Sequence, residues 1–188
     1  MNKYGKALFC VPLAWLKYAL LKLEHGRDFS ARGIAVFSPL TEITQEKHCR
    51  LHIGRMLKMH NGSKLRVRRG GILEIGDRFG MSNGCVVTAY DHVTIGNDVM
   101  LGPNVLIYDQ DHDYRAAGGV AAGQYKTAPI QIGNNVWIGA NSVILRGTVL
   151  GDNCVVGAGT ILKGKFPPNS LILQKRETEV IERNTENR

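Results

Sequence analysis

Histidine is a residue type that can do acid–base chemistry, and one of the six, His112, stands in an interruption of the chain's repeat. It stands in a polar interval, Asp109 to Pro129 (DQDHDYRAAGGVAAGQYKTAP), with Asp109, Asp111 and Asp113 around it. A neutral imidazole near pH 7 accepts a proton readily, which is what general-base catalysis on a poor nucleophile requires. A carboxylate could orient the ring, as in a catalytic triad. Successive side chains of an extended segment point to opposite sides, so Asp111 and Asp113 should not face the way His112 faces. A backbone carbonyl is the other orienter, and a solvated acid cluster is the plain alternative. By composition alone, one histidine in a loop is ordinary. His25, His48, His52 and His60 are expected at the surface or an interface, and His92 flanks a corner beside Asp91.

What must position His112 is a repeat. Ile132, Ile138, Ile144, Leu150, Val156 and Leu162 recur every six residues. Four places after each come Val136, Ser142, Thr148, Cys154, Thr160 and Phe166, mostly small or β-branched. A fixed short period with one aliphatic and one small slot is the signature of a hexapeptide β-helix. The period first appears at Ile53, Met59 and Leu65, blurs across Arg66–Gly70, and resumes at Ile75, Met81, Val87 and Val93. A two-residue shift then resets it at Ile95, Leu101 and Ile107, and it stops until Ile132. A long insertion inside a regular solenoid is usually functional and emerges on one face. Gly-Asn and Gly-Asp steps, as at Asn97-Asp98, Asn134-Asn135 and Asp152-Asn153, mark corners where the chain takes unusual backbone angles.

Residues 51–173 are therefore expected to form the β-helix, with the loop 109–129 projecting from it. Terminal coils need covers. Residues 1–50 form the expected cap at one end and the charged tail 174–188 at the other. Within that tail KRETEVIER is expected as a short helix and NTENR as disordered. Ala7–Leu16 is apolar but too short to span a bilayer, and Lys17-Tyr18-Ala19-Leu20 after it is a poor match to a small-x-small cleavage site. With KYALLKL behind it, the segment reads as an amphipathic helix bent or started at Pro12. It either packs on the body or a partner subunit, or lies in a membrane interface through residues 7–23, with Trp15, Tyr18 and the lysines at headgroup level. Net charge is +8, which admits nucleic acid, an anionic membrane or an anionic small ligand as partner. No nucleic-acid motif is present, so nucleic acid is set aside. Cys10, Cys49, Cys85 and Cys154 are scattered with no CxxC pair, as suits a reducing cytoplasm.

The segments VTIGNDVMLGPNVLI, DQDHDY and PIQIGNNVWIGANSVILRGTVLGDNCVVGAGTILKGKFPPNSLI resemble the hexapeptide-repeat acyltransferases, an all-β superfamily with a left-handed parallel β-helix. The likeness covers residues 72–173 and is greatest to the maltose and galactoside O-acetyltransferases and their capsule and lipopolysaccharide relatives. It implies acetyl-CoA as donor, no metal, and a homotrimer with sites between subunits. It implies a sugar acceptor, placed by the N-terminal segment and basic charge at the inner membrane face. His112 matches the position of the catalytic histidine, which would take the acceptor hydroxyl's proton as it attacks the thioester. Asn83, Asp91 and Trp137 fall near the acceptor positions, the asparagine displaced by about a residue. Gly139, Ala140, Ala158, Gly159, Lys163 and Gly164 match the coenzyme groove, and an amide near Ala140 would hold the oxyanion. Lys163, Lys165, Lys175 and Arg176 supply cations for the phosphates. Thr178 and Ile181 stand where the family's tail arginines fall.

Three alternatives share the fold. An N-acetyltransferase would take an amino group of a nucleotide sugar. A non-catalytic scaffold would bind without turnover. A zinc enzyme of the carbonic-anhydrase type would need a histidine five residues after His112, where Ala117 stands.

Overall fold

A computed structural model describes residues 3–175 and 177–181 of the chain, with side chains from Cys10 onward. The six-residue period becomes a parallel β-helix of triangular section. One sheet runs from Phe29–Ala31 through His92–Ile95 to Lys165–Phe166. A second runs from Ala35–Phe37 to Leu171–Ile172, and a third from Glu42–Gln45 to Ile161–Leu162. Each strand pairs with the strand one coil on, so side chains of one type stack in columns. All six aliphatic repeat residues from Ile132 to Leu162 are buried, as are Val136, Ser142, Thr148, Cys154 and Thr160. Phe166 is only partly buried and packs at the core's edge. The four cysteines are free and buried.

Coil length explains where the period blurs. Phe29 aligns with Leu51 and Leu51 with Leu73, 22 residues per turn. Ile132 aligns with Leu150, 18 residues on, which is three sets of six. The surplus in the early coils sits in longer strands and corners, such as Arg68–Gly71. The two-residue shift also resolves: Val93 and Ile95 lie on one strand, and both point inward.

The coils begin earlier than expected. Residues 29–50, read from sequence as a cap, form the first coil and enter the second: Phe29–Ala31, Ala35–Phe37 and Glu42–Gln45 each head a sheet. The cap itself is the helix Lys3–His25, which carries Pro12 inside it rather than starting there. Cys10, Ala14 and Leu21 face inward. Tyr18 sets its ring 5.7 Å from Phe29 and 5.3 Å from Phe37, closing the open end of the core. Tyr18 is therefore not at a headgroup level. Nor are two of the lysines: Lys17 Nζ donates to the Thr41 carbonyl and Lys22 Nζ to that of Phe29, both at 3.0 Å. At the other end, residues 177–181 form no helix, and NTENR lies outside the described residues.

The corners divide their work between two residues. The second polar residue takes the left-handed conformation, with φ of 58° at Asp98, 53° at Asn135 and 60° at Asn153. Asparagine and aspartate tolerate that region better than most L-residues. The preceding glycine is not left-handed; it makes room. A Cβ on Gly133 would lie 2.7 Å from the Asp152 nitrogen and 2.8 Å from the Gly151 carbonyl carbon. Polar side chains then stitch coil to coil: Asn134 Nδ2 donates to Asp152 at 3.2 Å, and Asn135 to Asn153 and Asn153 to Asn169 at 2.9 Å each.

This division is testable by urea unfolding. Gly133→Ala should lose about 1–3 kcal/mol, because backbone must move to admit the methyl. Asn135→Gly, which keeps the left-handed angle available, should change stability by less than about 1 kcal/mol.

Candidate active site

The interval after Ile107 is a two-stranded arm. Gln110–His112 pairs antiparallel with Tyr125–Thr127, placing His112 opposite Tyr125. It leaves the solenoid at the corner between the third and first sheets, the corner occupied one coil earlier by Tyr90 and Asp91. Three acidic residues fix it, each differently. Asp109 is fully buried and accepts from the Tyr90 and Asp91 N–H groups, with a closest distance of 2.8 Å to each. Asp111 meets Arg146 Nε at 2.6 Å. Asp113 meets Lys126 Nζ at 3.0 Å, and that pairing holds its carboxyl below the usual carboxylate range. None of the three bonds to His112, in keeping with the alternation argument.

Aromatic packing holds the imidazole instead. Its ring lies 4.5 Å from the Tyr125 ring, tilted by 37°. Tyr125 lies 4.9 Å from Tyr90, and the Arg69 guanidinium sits 4.7 Å over Tyr125 and 5.8 Å from Tyr90. Arg69 reaches there from a left-handed corner residue, φ 55°. Burial, then Tyr125, pushes the Tyr90 hydroxyl's pKa up. Among the described residues no hydrogen bond reaches the His112 ring, which leaves both its nitrogens for a substrate. Arg69, Tyr90, Tyr125 and Arg146 escaped the sequence analysis. The usable signal was symmetry: Tyr125 stands inside the end of the interval as His112 stands inside its start, so closing the interval as a hairpin sets them opposite.

The other expected site residues fall in two groups. Asp91 shares the arm's corner, Lys163 and Gly164 occupy the same corner further along, and Lys165 opens the strand that follows it. Asn83 is exposed at the corner between the second and third sheets, where Gly139, Ala140, Ala158 and Gly159 also lie. Trp137 projects from the second sheet, 57% exposed. One chain therefore sets the arm of His112, Asp91 and Lys163 along one corner of the prism, and Asn83, Trp137 and the glycine–alanine corner elsewhere on it. That corner is narrow because coils touch there: a Cβ on Gly139 would meet the Ala158 nitrogen at 2.6 Å. The Ala140 N–H makes no intrachain hydrogen bond among the described residues. Arg176 lies outside the described residues. His92 is occupied by Glu74 at 2.9 Å. Among the described residues no group of three or more His, Cys, Asp or Glu is placed to hold a metal ion.

A parallel β-helix wound from hexapeptide repeats is the architecture that the comparisons also find. Residues 129–163 match the family model described as the hexapeptide repeat of succinyl-transferase. The galactoside O-acetyltransferase of Escherichia coli K12 is 38% identical over 104 residues, covering 53% of this chain and 49% of that protein. A crystal structure of a maltose O-acetyltransferase from Clostridium difficile 630 superposes with a TM-score of 0.51 at 25% identity, over 88% of this chain and 80% of that one. An N-acyltransferase variant from Bacillus cereus, in complex with dTDP and coenzyme A, shares the fold at 19% identity and a TM-score of 0.64, over 80% of each chain. The chain carries the hexapeptide repeat and folds as a left-handed parallel β-helix like these proteins. It spans about half the length of the curated relatives it matches.

Burial raises the pKa of Asp109. Its contribution to stability is thus full below the unfolded carboxylate value, about 3.9, and is lost as pH rises through the higher folded value. Compared by urea unfolding from about pH 4 upward, Asp109→Asn should gain stability relative to the native chain as pH rises, because it lacks that loss. Asp109→Ala, which strands two N–H groups, should cost about 1–3 kcal/mol.

Proposed function

We propose that the chain is an acetyl-CoA-dependent O-acetyltransferase acting on a sugar hydroxyl, with His112 as general base. The observation that carries this reading is an imidazole fixed by ring stacking on a projecting arm, with both nitrogens unspent. Neutral His112 takes the hydroxyl proton as the oxygen attacks the thioester carbonyl. The tetrahedral adduct bears an oxyanion, for which the unspent Ala140 N–H is the donor. Collapse expels the coenzyme thiolate, and the His112 imidazolium returns the proton to sulfur.

Because the arm and the glycine–alanine corner stand at different corners of one chain, this chemistry needs two copies. The arm of one copy works against Gly139, Ala140, Ala158 and Gly159 of the next. A homotrimer supplies three such clefts. The outer face of the third sheet suits that packing: Val86, Leu106, Val143 and Ile161 form one apolar column across it. Trp137, Asn83 and Asp91 are the proposed acceptor contacts, and Lys163 and Lys165, with Arg176, the proposed phosphate contacts. Galactoside and maltose acetyltransferases among the relatives and solved structures favour a sugar, and a surface polysaccharide or glycan is the class proposed. The reaction would run in the cytoplasm, where acetyl-CoA is available.

A thiol-release assay with acetyl-CoA against sugars, nucleotide amino sugars and glycans tests this. His112→Ala should reduce turnover by about 10²–10⁴-fold while coenzyme binding persists. Unchanged rates would remove His112 from the reaction, and release only with amino sugars would move the activity to N-acylation. Tyr125→Phe should keep the ring stack and the rate. Tyr125→Ala should lower kcat by about tenfold with little change in KM.

A further inference from the structure

The helix Lys3–His25 is apolar on both sides, which a helix lying on a surface rarely is. Its inner face is spent on the core through Ala14, Leu21 and Tyr18. At 100° per residue, Trp15, Leu16, Ala19, Leu20 and Leu23 fall on the opposite face. Trp15, Leu16 and Leu20 are each more than half exposed, and Leu23 is 86% exposed. The corner beside the helix, tied to it by the Lys17–Thr41 bond, adds Leu40, 72% exposed. Between helix and corner runs an apolar groove of about 210 Å³, lined by Leu13, Leu16, Leu20, Phe37 and Pro39. Single exposed leucines need no explanation, but a continuous stripe does.

Charge indicates the occupant. Residues 1–50 hold eight Lys and Arg against four Asp and Glu, so half of the net +8 lies at this end. Arg27, just past the helix, and Lys47 and Arg50 are exposed and unpaired among the described residues. The Lys47 corner adjoins the Arg27 turn, because Gln45 Nε2 donates to both the Asp28 and Cys49 carbonyls. Among the described residues no helix is long and apolar enough to cross a membrane. A leucine and tryptophan stripe with unpaired Arg27 and Lys47 just beyond its C-terminal end has the composition of a helix that lies in a bilayer interface.

We propose that the outer face of Lys3–His25 docks the solenoid end-on against an anionic lipid bilayer, with Leu16, Leu20 and Leu23 inserted and Arg27 and Lys47 at the headgroups. Such docking would hold the candidate site close to membrane-bound acceptors, yet it does not depend on the proposed reaction. The test is sedimentation of the full chain with phosphatidylglycerol–phosphatidylcholine vesicles, against phosphatidylcholine alone. The chain should pellet with the anionic vesicles. Leu16→Glu with Leu20→Glu should weaken binding by at least about tenfold at unchanged melting temperature, since both side chains are exposed. Arg27→Gln with Lys47→Gln should weaken binding only to anionic vesicles. Failure to pellet, or equal pelleting of the leucine variant, overturns the proposal. So does self-association that the leucine variant abolishes without any vesicle binding, which would make a second copy the occupant. Thiol release plays no part in the readout, so the proposed reaction can fail while docking stands, and the reverse.

Discussion

The closeness of one coil's backbone to the next is the constraint on which the rest depends. At Gly133 and Gly139 a methyl group would lie within 3 Å of neighbouring backbone, and parallel pairing runs through three sheets. Strand and corner amides bond from coil to coil, the Ala140 N–H apart, and the small and β-branched slots fill a narrow core. Such interiors are close-packed and transmit displacement rather than absorb it. The asparagine ladder adds directionality, since each corner amide bonds its counterpart a coil away. This stacking makes a stiff prism with few degrees of freedom.

Stiffness matters because the candidate chemistry hangs from a projection. An arm of some twenty residues would wander if it left the body as a plain loop. Here it is a short antiparallel pair rooted by a buried carboxylate, Asp109, and braced by Arg146 and Lys126. Burying Asp109 raises its pKa, and the two amides it receives offset part of that penalty. The acids that a triad analogy would turn toward His112 are spent on holding the arm. Ring stacking from Tyr125, backed by Tyr90 and Arg69, orients the imidazole while leaving its nitrogens open. The same economy appears at the other end, where Lys17 and Lys22 anchor the helix to carbonyls rather than reaching outward.

Most of the solenoid was legible because its signal is strictly local: one aliphatic and one small residue per six. Where coils lengthen to 22 residues the signal weakened, so Phe29 to Gln45 looked like a cap when it is the first coil. The corner glycines were recognised but for the wrong reason, since close approach between coils is invisible along a single strand. The arm that carries His112 was legible as a break in the repeat, while a role for His112 came only from the family resemblance. The supports of His112 were not legible, because Arg69 and Tyr90 come from earlier coils and meet it only once the helix is wound. The separation of His112 from the glycine–alanine corner is likewise a property of the wound prism.

We propose that this prism sets one imidazole beside a thioester in a cleft between copies. A crystal structure of the chain with bound coenzyme A tests it most directly. The account predicts the coenzyme sulfur within about 4 Å of a His112 ring nitrogen, with its pantetheine arm along the Gly139–Ala158 corner of an adjoining copy. Coenzyme bound on a face the arm does not reach, or along a single chain with His112 pointing into solvent, would contradict it.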